Sequence, residues 1–476
     1  MRRAKIVCTL GPASTSQSML EELLDAGMDV ARVNFSHGTH EQHREVIERL
    51  RAASLKVRKA VAILGDLQGP KIRTGKLEKG AIELKEGAEL SITMDESVLG
   101  VDGLVSTTYA HLASDVNVGD RILLDDGLLE LKVLATDKRT LVRTEVIHGG
   151  TLKNNKGINL PGVDLRADAL TPKDKEDLLF GLDVGIDFAA LSFVRRPEDI
   201  DMAREVMTAA GRHVPIIAKL EKPEAITRLD AILERADGVM VARGDLGVEI
   251  PPEQVPSIQK EIIRKANERR IPVIVATQML NSMIEHPRPT RAEASDVANA
   301  VFDGTDAVML SGETASGRYP VESVQMMERI VLSAEESIRK GPRMSKGEPV
   351  VLPAAFNDVV CGVACRAARE CGASLIVAFT LTGTTARLLS HYRPTVPIIA
   401  FSPNQEVRRR LSLLWGVMPR VLEPMVDTEA MVRRVEEELL ARGLARQGER
   451  IAIVFGAPVG QPGKINSLRL QTISSH

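Results

Sequence analysis

The sequence has little of three features that mark particular classes of protein: excess charge of one sign, cysteine, and long apolar runs. Its 62 Lys and Arg nearly balance 64 Asp and Glu, for a formal net charge of −2. A nucleic-acid binder usually carries a strong basic excess, so we do not expect one here. No apolar run is long enough to span a membrane, and the N-terminus lacks the apolar segment of a signal peptide. We expect a cytoplasmic protein without membrane contact.

Cysteine is also scarce, with four residues in a chain of 476. That number is too small for a disulfide framework. Cys361 and Cys365 are one helical turn apart in an apolar segment with no nearby histidine, so we interpret them as small core residues. Hydrophobic residues make up 44% of the chain. This length and composition are sufficient for about three domains with large cores.

Eight short, apolar, β-rich runs recur along the chain, and each ends in polar or glycine-rich residues. The runs are Lys5–Leu10, Met28–Val33, Ala60–Leu64, Phe188–Leu191, Pro215–Ala218, Gly238–Val241, Pro272–Ala276 and Ala307–Leu310. Helical patterns such as Thr171–Leu182 and Ser257–Arg269 separate several of them. Near-continuous apolar strands that alternate with helices indicate a parallel sheet covered on both faces. Eight such units predict an α/β fold built on a closed (β/α)8 barrel.

Polar side chains follow the C-terminal ends of these runs, where barrel enzymes place their active sites. Lys219 and Glu221 follow the fifth run, Asp245 the sixth and Thr277 the seventh. Turns and helix caps also favour Asp, Ser and Thr, but they do not explain a Lys, a Glu and an Asp at successive strand ends. The pattern predicts an active site at this rim.

A long interruption between the third and fourth runs, residues 73–163, exceeds the length of a simple loop. It contains alternating runs at Ala88–Thr93, Arg121–Leu124 and Leu128–Leu134 and a turn signal at Asp126-Gly127. This pattern predicts a small all-β domain inserted in the barrel. Such a domain would lie above the catalytic face and act as a lid.

The chain after the barrel reads as α/β again. Lys340–Pro349, rich in Gly, Pro and Lys, is interpreted as a linker. The expected elements beyond it are a helix at Asn357–Glu370, strands at Ser374–Phe379 and Ile398–Phe401, a helix at Thr428–Arg442 and a strand at Arg450–Phe455. We therefore predict a barrel domain over 1–72 and 164–340, a lid over 73–163, and a C-terminal regulatory domain over 350–476.

Lys219 and Glu221 are two residues apart, so in an extended segment their side chains point the same way. A simple salt bridge is one explanation of this pair. Asp245 adds a second carboxylate, and two carboxylates with room for substrate oxygens suit Mg²⁺. Lys219 would then neutralise charge on a transferring phosphoryl group or an enolate. The small Gly244 permits close approach of an anionic ligand to the backbone.

Several longer motifs resemble signatures of the pyruvate kinase family, and they span nearly the whole chain in order. They are RVNFSHG at 32–38, GDLQGPKIRTG at 65–75, NKGINLPG at 155–162, IIAKLEKPEAI at 216–226, MVARGDLGVEIP at 240–251, ATQML at 276–280 and SGETASGRYP at 311–320. The resemblance implies transfer of a phosphoryl group from phosphoenolpyruvate to ADP, which gives ATP and pyruvate in the last step of glycolysis. Such chemistry requires mainly positioning and charge neutralisation.

The resemblance also implies roles for the residues at the rim. Lys219 resembles the lysine that stabilises the phosphoryl group in flight and the enolate left behind. Thr277 resembles the threonine that helps to bind substrate and to deliver a proton to the enolate carbon. Glu221 and Asp245 resemble the ligands of the divalent metal, Mg²⁺ or Mn²⁺, and Gly244 resembles the glycine whose backbone binds the substrate carboxylate.

A second group of motif residues resembles the family's contacts to phosphate and nucleotide. Arg32 and Arg73 match arginines with this role, and Arg73 is also taken as catalytic. Asn34 and His37 match positions close to the nucleotide, and Lys156 matches a nucleotide-contacting lysine of the lid. Members of the family usually form homotetramers, which we expect here as well.

One motif departs from the potassium-dependent members of the family. Their K⁺ ligands correspond to Asn34, Ser36, Asp66 and the backbone of Leu67, and they usually carry Glu where this chain has Lys71. An internal ammonium can replace the charge of a bound monovalent cation. We therefore predict that K⁺ is not required. The alternative is that Lys71 only points to solvent.

The C-terminal domain contains a possible phosphate site in FTLTGTTARLL at 379–389. Hydroxyl groups and a glycine at a helix N-terminus form an anion-binding site, although an ordinary capped helix start is the alternative. In the family this loop binds the phosphate of an allosteric effector. The resemblance implies a phosphorylated activator that contacts Thr380, Thr382, Gly383, Thr384 and Thr385.

Two other functions stay open at this point. A metal-dependent aldolase or lyase would share the metal and the enolate, but it would not explain the lid, Arg73 or the C-terminal domain. A regulatory or scaffold protein that kept the fold would have no need of an intact set of Lys219, Glu221, Asp245 and Thr277.

Overall fold

Eight parallel strands close into a barrel at the centre of the molecule. The computed structural model describes residues 1–163, 166, 168–340, 355–423, 427–458 and 463–474. The barrel strands are Lys5–Thr9, Val30–Asn34, Ala62–Asp66, Phe188–Leu191, Ile216–Leu220, Gly238–Ala242, Val273–Ala276 and Ala307–Leu310. Neighbours in sequence are neighbours in the barrel, and the eighth strand pairs with the first. The predicted barrel is confirmed.

Helices surround the barrel and follow most of its strands. They are Gln17–Ala26, His40–Val57, Pro172–Val184, Pro197–Ala209, Pro223–Thr227, Leu229–Arg235, Arg243–Glu249, Val255–Glu268, Arg291–Asp303, Gly312–Ala315 and Pro320–Lys340, with 3₁₀ turns at Pro252–Gln254 and Asn281–Ile284. Thr39, Thr171 and Thr290 each begin a helix with a capping box, in which the threonine hydroxyl accepts from a backbone N–H one turn on. None of the described helices has the length and apolar character needed to cross a membrane.

Four aspartates mark the N-terminal end of the barrel, and each directly precedes a strand. Every one accepts a hydrogen bond from the backbone N–H of a neighbouring strand. They are Asp29, Asp187, Asp237 and Asp306, which accept from Ile6, Ile63, Ile216 and Val273 at 3.0, 2.9, 3.0 and 2.9 Å. These carboxylates satisfy strand N–H groups that would otherwise lack a partner at the barrel end.

The insertion between the third and fourth barrel strands is an all-β domain with its own apolar core. Its strands are Ala81–Leu84, Glu89–Thr93, Leu104–Ser106, Arg121–Leu124, Leu129–Thr136, Leu141–His148, Gly150–Lys153 and Ile158–Asn159, with one short helix, Leu112–Asp115. They form a six-stranded and a two-stranded sheet. Asn159 Nδ2 donates to Glu249 Oε1 of the barrel at 2.8 Å. Glu249 ends the helix that follows the sixth strand, so the insertion meets the C-terminal rim.

The C-terminal domain is a five-stranded sheet with apolar clusters on both faces. Its strands are Leu375–Phe379, Ile398–Ser402, Val417–Val421, Arg450–Phe455 and Ser467–Thr472. Its helices are Phe356–Glu370, Thr384–His391, Gln405–Arg410 and Thr428–Ala441, with a 3₁₀ turn at Leu411–Leu413. Val417–Val421 and Ser467–Thr472 are the two edge strands and were not predicted. The predicted linker beyond Lys340 and the predicted domain starts at residues 164 and 350 lie outside the described residues.

The C-terminal domain packs against the N-terminal end of the barrel. Arg409 pairs with Asp187 at 2.8 Å and Arg393 with Asp306 at 3.0 Å. Leu413 is fully buried and belongs to the same apolar cluster as the inward-facing barrel side chains. The opposite, C-terminal rim is therefore left for the lid and the predicted site.

Candidate active site

Lys219 lies in the mouth of the barrel, near the end of the fifth strand, and is almost completely buried. Its Nζ donates to Ser192 Oγ at 2.7 Å and forms ion pairs with Glu221 Oε1 at 2.9 Å and Asp66 Oδ1 at 3.3 Å. Burial alone lowers the pKa of this ammonium, but Asp66 and Glu221 outweigh burial and raise the pKa above its ordinary value. Lys219 is therefore a fixed positive charge. Lys219 and Glu221 lie on one face, and the salt bridge that was the simpler explanation of this pair is present.

Glu221 is also buried, and its second oxygen accepts from the backbone N–H of Phe193 at 2.9 Å. Burial raises the pKa of Glu221, and the negative charge of nearby Asp245 acts in the same direction. Asp245 is half-buried, and its carboxylate makes no hydrogen bond or ion pair with the described residues. A buried carboxylate next to an unpaired one is a donor set that a divalent cation would stabilise.

This donor set fits the predicted metal. No group of three or more His, Cys, Asp or Glu residues in the described ranges has the arrangement to hold an ion by itself. Two protein carboxylates are nevertheless what Mg²⁺ needs when substrate and water supply its remaining ligands. The sequence-predicted pair, Glu221 and Asp245, therefore lies where such an ion would meet a substrate at the rim.

Asp66 connects Lys219 to the second predicted cation, Arg32. The Arg32 Nε lies 2.6 Å from Asp66 Oδ2, and its Nη1 donates to Thr9 Oγ1 at 3.1 Å. Burial alone raises the pKa of Asp66, yet Lys219 and Arg32 outweigh it and hold that pKa below its usual range. The barrel mouth thus presents two cations bridged by one ionised carboxylate.

The four predicted monovalent-cation positions come together at the ends of the second and third strands. Asn34 is the register partner of Asp66 in the sheet. Asn34 Oδ1 accepts from the Ser36 backbone N–H at 3.1 Å. The Leu67 carbonyl accepts from Ser192 Oγ at 2.7 Å. The Asn34 amide oxygen, the Asp66 carboxylate and the Leu67 carbonyl therefore already have protein partners.

Thr277 follows the seventh strand and has left-handed backbone geometry, with a φ of 70°. Its Oγ1 accepts from the Gly244 backbone N–H at 2.6 Å and donates to the Ala276 carbonyl at 2.6 Å. A Cβ on residue 244 would lie 3.3 Å from Thr277 Oγ1, so a side chain there would crowd this hydroxyl. Gly244 and Thr277 are thus neighbours at the rim, and Gly244 and Asp245 belong to the helix Arg243–Glu249.

Arg73 and Lys156 meet where the lid leaves and rejoins the barrel. Arg73 Nη1 donates to the Asn155 carbonyl at 3.0 Å. Lys156 Nζ pairs with Asp125 Oδ1 at 2.7 Å. Both side chains are partly exposed. They are available to a ligand that enters between the lid and the barrel.

A small cleft lies between the lid and the barrel rim. It is lined by Pro70, Lys71, Ile72, Asp126, Gly157, Ile158, Asn159, Leu160, Phe193, Arg195, Lys222 and Asp245. Lys71 therefore faces this cleft, and its ammonium has no hydrogen bond or ion pair with the residues described. The pKa of the nearby His37 is lowered by burial and then by Arg73, Lys71 and Arg32. The positive charge of these side chains favours an anionic ligand in the cleft.

The predicted effector loop lies in the C-terminal domain, away from the barrel mouth. Gly383 has a φ of 93° and precedes a helix that begins at Thr384. Its backbone N–H donates to the buried Thr380 Oγ1 at 2.8 Å. The hydroxyls of Thr382 and Thr384 are 3.0 Å apart. Thr385 is buried. The loop has the predicted form of hydroxyls and a glycine at a helix start.

Two residues that sequence reasoning did not include belong to the site. Ser192 orients Lys219, and Phe193 supplies a backbone N–H to Glu221 from left-handed geometry with a φ of 54°. The available signal was position, because Ser192 directly follows the fourth strand. Serine is also common at helix caps and in turns, so its position was only a weak signal.

A lysine, an arginine and paired carboxylates at the C-terminal rim of a (β/α)8 barrel, beneath a separate lid, define a barrel enzyme for an anionic substrate. The model for "Pyruvate kinase, barrel domain" matches residues 1–324, and that for "Pyruvate kinase, alpha/beta domain" matches residues 358–471. The chain therefore belongs to the pyruvate kinase family.

Individual relatives match almost the whole of this chain. The pyruvate kinase of Geobacillus stearothermophilus is 49% identical over 99% of this chain and 81% of its own length. That of Mycobacterium tuberculosis strain CDC 1551 / Oshkosh is 48% identical over 99% and 98%. A crystal structure of a pyruvate kinase from Cryptosporidium parvum has a TM-score of 0.92 at 38% identity, over 99% of this chain and 96% of that one.

Proposed function

We propose that this chain transfers the phosphoryl group of phosphoenolpyruvate to ADP in the cytoplasm, as the last step of glycolysis. The observation that carries the proposal is the buried Lys219 ammonium, fixed by Asp66 and Glu221 at the rim beneath the lid. Family membership makes the reaction that of a pyruvate kinase. The residue roles that follow are proposed from this geometry.

In the proposed reaction, the bond between phosphorus and the enol oxygen breaks while a bond to a β-phosphate oxygen of ADP forms. Lys219 and Arg32 bind the phosphoryl oxygens and neutralise their charge. The backbone of Gly244 is proposed to meet the substrate carboxylate, although its N–H donates to Thr277 Oγ1 in this structure. The enolate then accepts a proton at its methylene carbon, which Thr277 helps to deliver, and becomes pyruvate. Arg73, Asn34, His37 and Lys156 orient the nucleotide.

Members of the family generally use Mg²⁺. Glu221 and Asp245 would hold it here, and Mn²⁺ has the same preference for carboxylate oxygens. When bound, the ion supplies positive charge to the phosphoryl oxygens. The proximity of the Glu221 and Asp245 carboxylates supports this assignment.

The decisive assay is pyruvate release from phosphoenolpyruvate in the presence of MgCl2, with and without ADP. We expect pyruvate and ATP in equal amounts, and no pyruvate when ADP is omitted. Release without ADP would be hydrolysis of the phosphate ester rather than transfer to ADP, and would contradict the proposal. Absence of any turnover would favour an aldolase, a lyase or a scaffold protein.

We further propose that the enzyme does not require K⁺. The Asn34 amide oxygen and the Leu67 carbonyl each accept a hydrogen bond from the protein, and Asp66 is neutralised by two cations. Lys71 adds a positive charge at the cleft. Rates in K⁺-free and Na⁺-free buffer should change little when K⁺ is added, and Lys71→Glu should make the rate K⁺-dependent. A large K⁺ activation of the unaltered enzyme would refute this.

A phosphorylated metabolite is proposed as allosteric activator at the loop from Thr380 to Thr385. The N-terminus of the helix Thr384–His391 and the hydroxyls of Thr382 and Thr384 support an anion site. We expect a sugar phosphate or nucleoside monophosphate to lower the half-saturating phosphoenolpyruvate concentration, and Thr384→Glu to abolish the effect. No response to any such compound, together with an unchanged curve for Thr384→Glu, would contradict it.

A homotetramer is proposed for the assembly. The helix Phe356–Glu370 exposes an apolar stripe, in which Phe356 is 87% exposed and Val359 and Val363 about half exposed. Exposed apolar stripes of this kind commonly mark protein contacts. Light scattering should give the mass of four chains. A monomer at micromolar concentration would contradict the proposal.

A further inference from the structure

Two consecutive residues after the seventh barrel strand have left-handed backbone geometry although neither is glycine. Thr277 has a φ of 70° and Gln278 a φ of 54°. A β-branched side chain is rarely found in this region, because its methyl and hydroxyl groups crowd the backbone. Such a conformation persists only where the surroundings hold it in place. Something must therefore hold Thr277.

The guanidinium of Arg243 supplies that restraint. Its Nη2 donates to the Thr277 carbonyl at 2.8 Å, and its Nε donates to the Ala276 carbonyl at 3.4 Å. Its Nη1 pairs with Asp296 Oδ1 at 2.6 Å. The Arg243 side chain is 12% exposed, so its contacts with the two carbonyls are largely shielded from water, whereas Asp296 is partly exposed. One planar group thus holds two successive carbonyls of the turn and is itself anchored by a carboxylate.

The same segment also fixes the Thr277 hydroxyl. Gly244 follows Arg243 directly, and its N–H donates to Thr277 Oγ1 at 2.6 Å. The backbone and the side chain of Thr277 are therefore both held from residues 243 and 244, at the start of one short helix. Asp296 lies on the separate helix Arg291–Asp303, which steadies the guanidinium from outside the site.

We propose that Arg243 is a positioning residue for the proton-transfer half of the reaction, because it holds Thr277 in the left-handed conformation that places its hydroxyl at the substrate. This rests on the proposed role of Thr277. Lysine cannot replace Arg243, since a single ammonium cannot bind two carbonyls and a carboxylate in the fixed geometry of a guanidinium. The rival explanation is a purely structural ion pair between Arg243 and Asp296.

The test isolates proton transfer from phosphoryl transfer. Pyruvate, ATP and MgCl2 are incubated in D2O with the full-length enzyme, and loss of the methyl hydrogens is followed by proton NMR. Exchange requires removal of a methyl proton to form the enolate and return of a deuteron to the same carbon. The variants are Arg243→Lys, Thr277→Ala and the double variant. Arg264→Lys, at an exposed arginine paired with Glu268, is the matched control.

We expect Arg243→Lys and Thr277→Ala each to slow exchange at least about tenfold, and the double variant to be no slower than Thr277→Ala within about twofold. The control should exchange at the unaltered rate, and the KM for phosphoenolpyruvate should change less than the exchange rate. A structural ion pair would instead lower the unfolding temperature without this non-additivity.

Three results would overturn the proposals, and they are distinguishable. Exchange by Thr277→Ala at the unaltered rate would remove Thr277 from the proton step. A slow Thr277→Ala with a normal Arg243→Lys would refute the role of Arg243 alone. Losses that multiply in the double variant would show that Arg243 acts independently of Thr277. If Arg243→Lys does not fold, Asp296→Asn decides, because it keeps Arg243 but weakens its anchor; normal exchange by that variant would refute the proposal.

Discussion

Ser192→Ala tests how firmly Lys219 must be held. The Ser192 hydroxyl is buried and makes two short hydrogen bonds. It accepts from Lys219 Nζ at 2.7 Å and donates to the Leu67 carbonyl at 2.7 Å. Alanine removes both bonds and introduces no steric clash, since it is smaller. Lys219 then keeps only its ion pairs with Asp66 and Glu221.

The size of the effect follows from the two bonds. A hydrogen bond to a charged group contributes about 1.5–3 kcal/mol, and a neutral one about 0.5–1.5 kcal/mol. The Lys219 bond bears on catalysis, because it fixes the ammonium where negative charge develops. If its whole contribution is lost in the transition state, kcat/KM falls about tenfold to a hundredfold. The Leu67 bond contributes mainly to stability.

The assay is ADP-dependent pyruvate formation, with thermal unfolding measured on the same samples. Ser97→Ala is the control, since Ser97 is an exposed lid residue bonded only to Asp95. We expect the control to match the unaltered enzyme. A Ser192→Ala enzyme with kcat/KM within about twofold of normal would refute the view that this hydroxyl holds Lys219 in a productive position.

Two other outcomes are expected. The pKa of Asp29 is lowered to about 2: burial alone would raise it, but Arg2, Lys5 and Lys59 outweigh burial. Ionised Asp29 therefore stabilises the fold fully above about pH 4, and this stabilisation is lost as the pH falls towards 2. Asp29→Asn should consequently lower the free energy of unfolding by about 2 kcal/mol at pH 7. The difference in unfolding temperature between the unaltered enzyme and Asp29→Asn should narrow near pH 3. A difference that does not depend on pH would contradict this. Chelation with excess EDTA should abolish turnover and MgCl2 should restore it; activity that survives EDTA would remove the need for Glu221 and Asp245 as metal ligands.

The barrel could be predicted because its strands are buried on both faces and read as continuous apolar runs. Phe188–Leu191 and Ala307–Leu310 have the predicted bounds. The second strand begins at Val30 rather than Met28, because Asp29 turns its side chain to the end of the barrel and accepts the Ile6 N–H. Strand existence follows from periodicity, whereas strand ends depend on such tertiary hydrogen bonds.

The two unpredicted strands of the C-terminal domain are edge strands. Val417–Val421 contains Pro419 and Arg420, and Ser467–Thr472 alternates apolar residues with polar ones and remains partly exposed. Proline is tolerated at a sheet edge, and half-exposed strands lack a continuous apolar run. Their pairing is decided by the neighbouring strands rather than by local sequence.

The charged residues of the site were predictable, because Lys219, Glu221 and Asp245 follow successive strands. The groups that orient Lys219 and Thr277 were not predictable. Ser192 and Arg243 act through contacts that exist only after the barrel closes and brings adjacent strand ends together. Their position after a strand is only a weak signal, because serine and arginine at such positions also face solvent.

The central claim is that a fixed Lys219 ammonium stabilises the transferring phosphoryl group. The most direct measurement compares turnover with phosphoenolpyruvate binding in Lys219→Met, which keeps most of the length of the side chain and removes its charge. We predict that ADP-dependent pyruvate formation falls by at least about a thousandfold while phosphoenolpyruvate still binds in the presence of MgCl2. Turnover within about tenfold of the unaltered enzyme would contradict the claim.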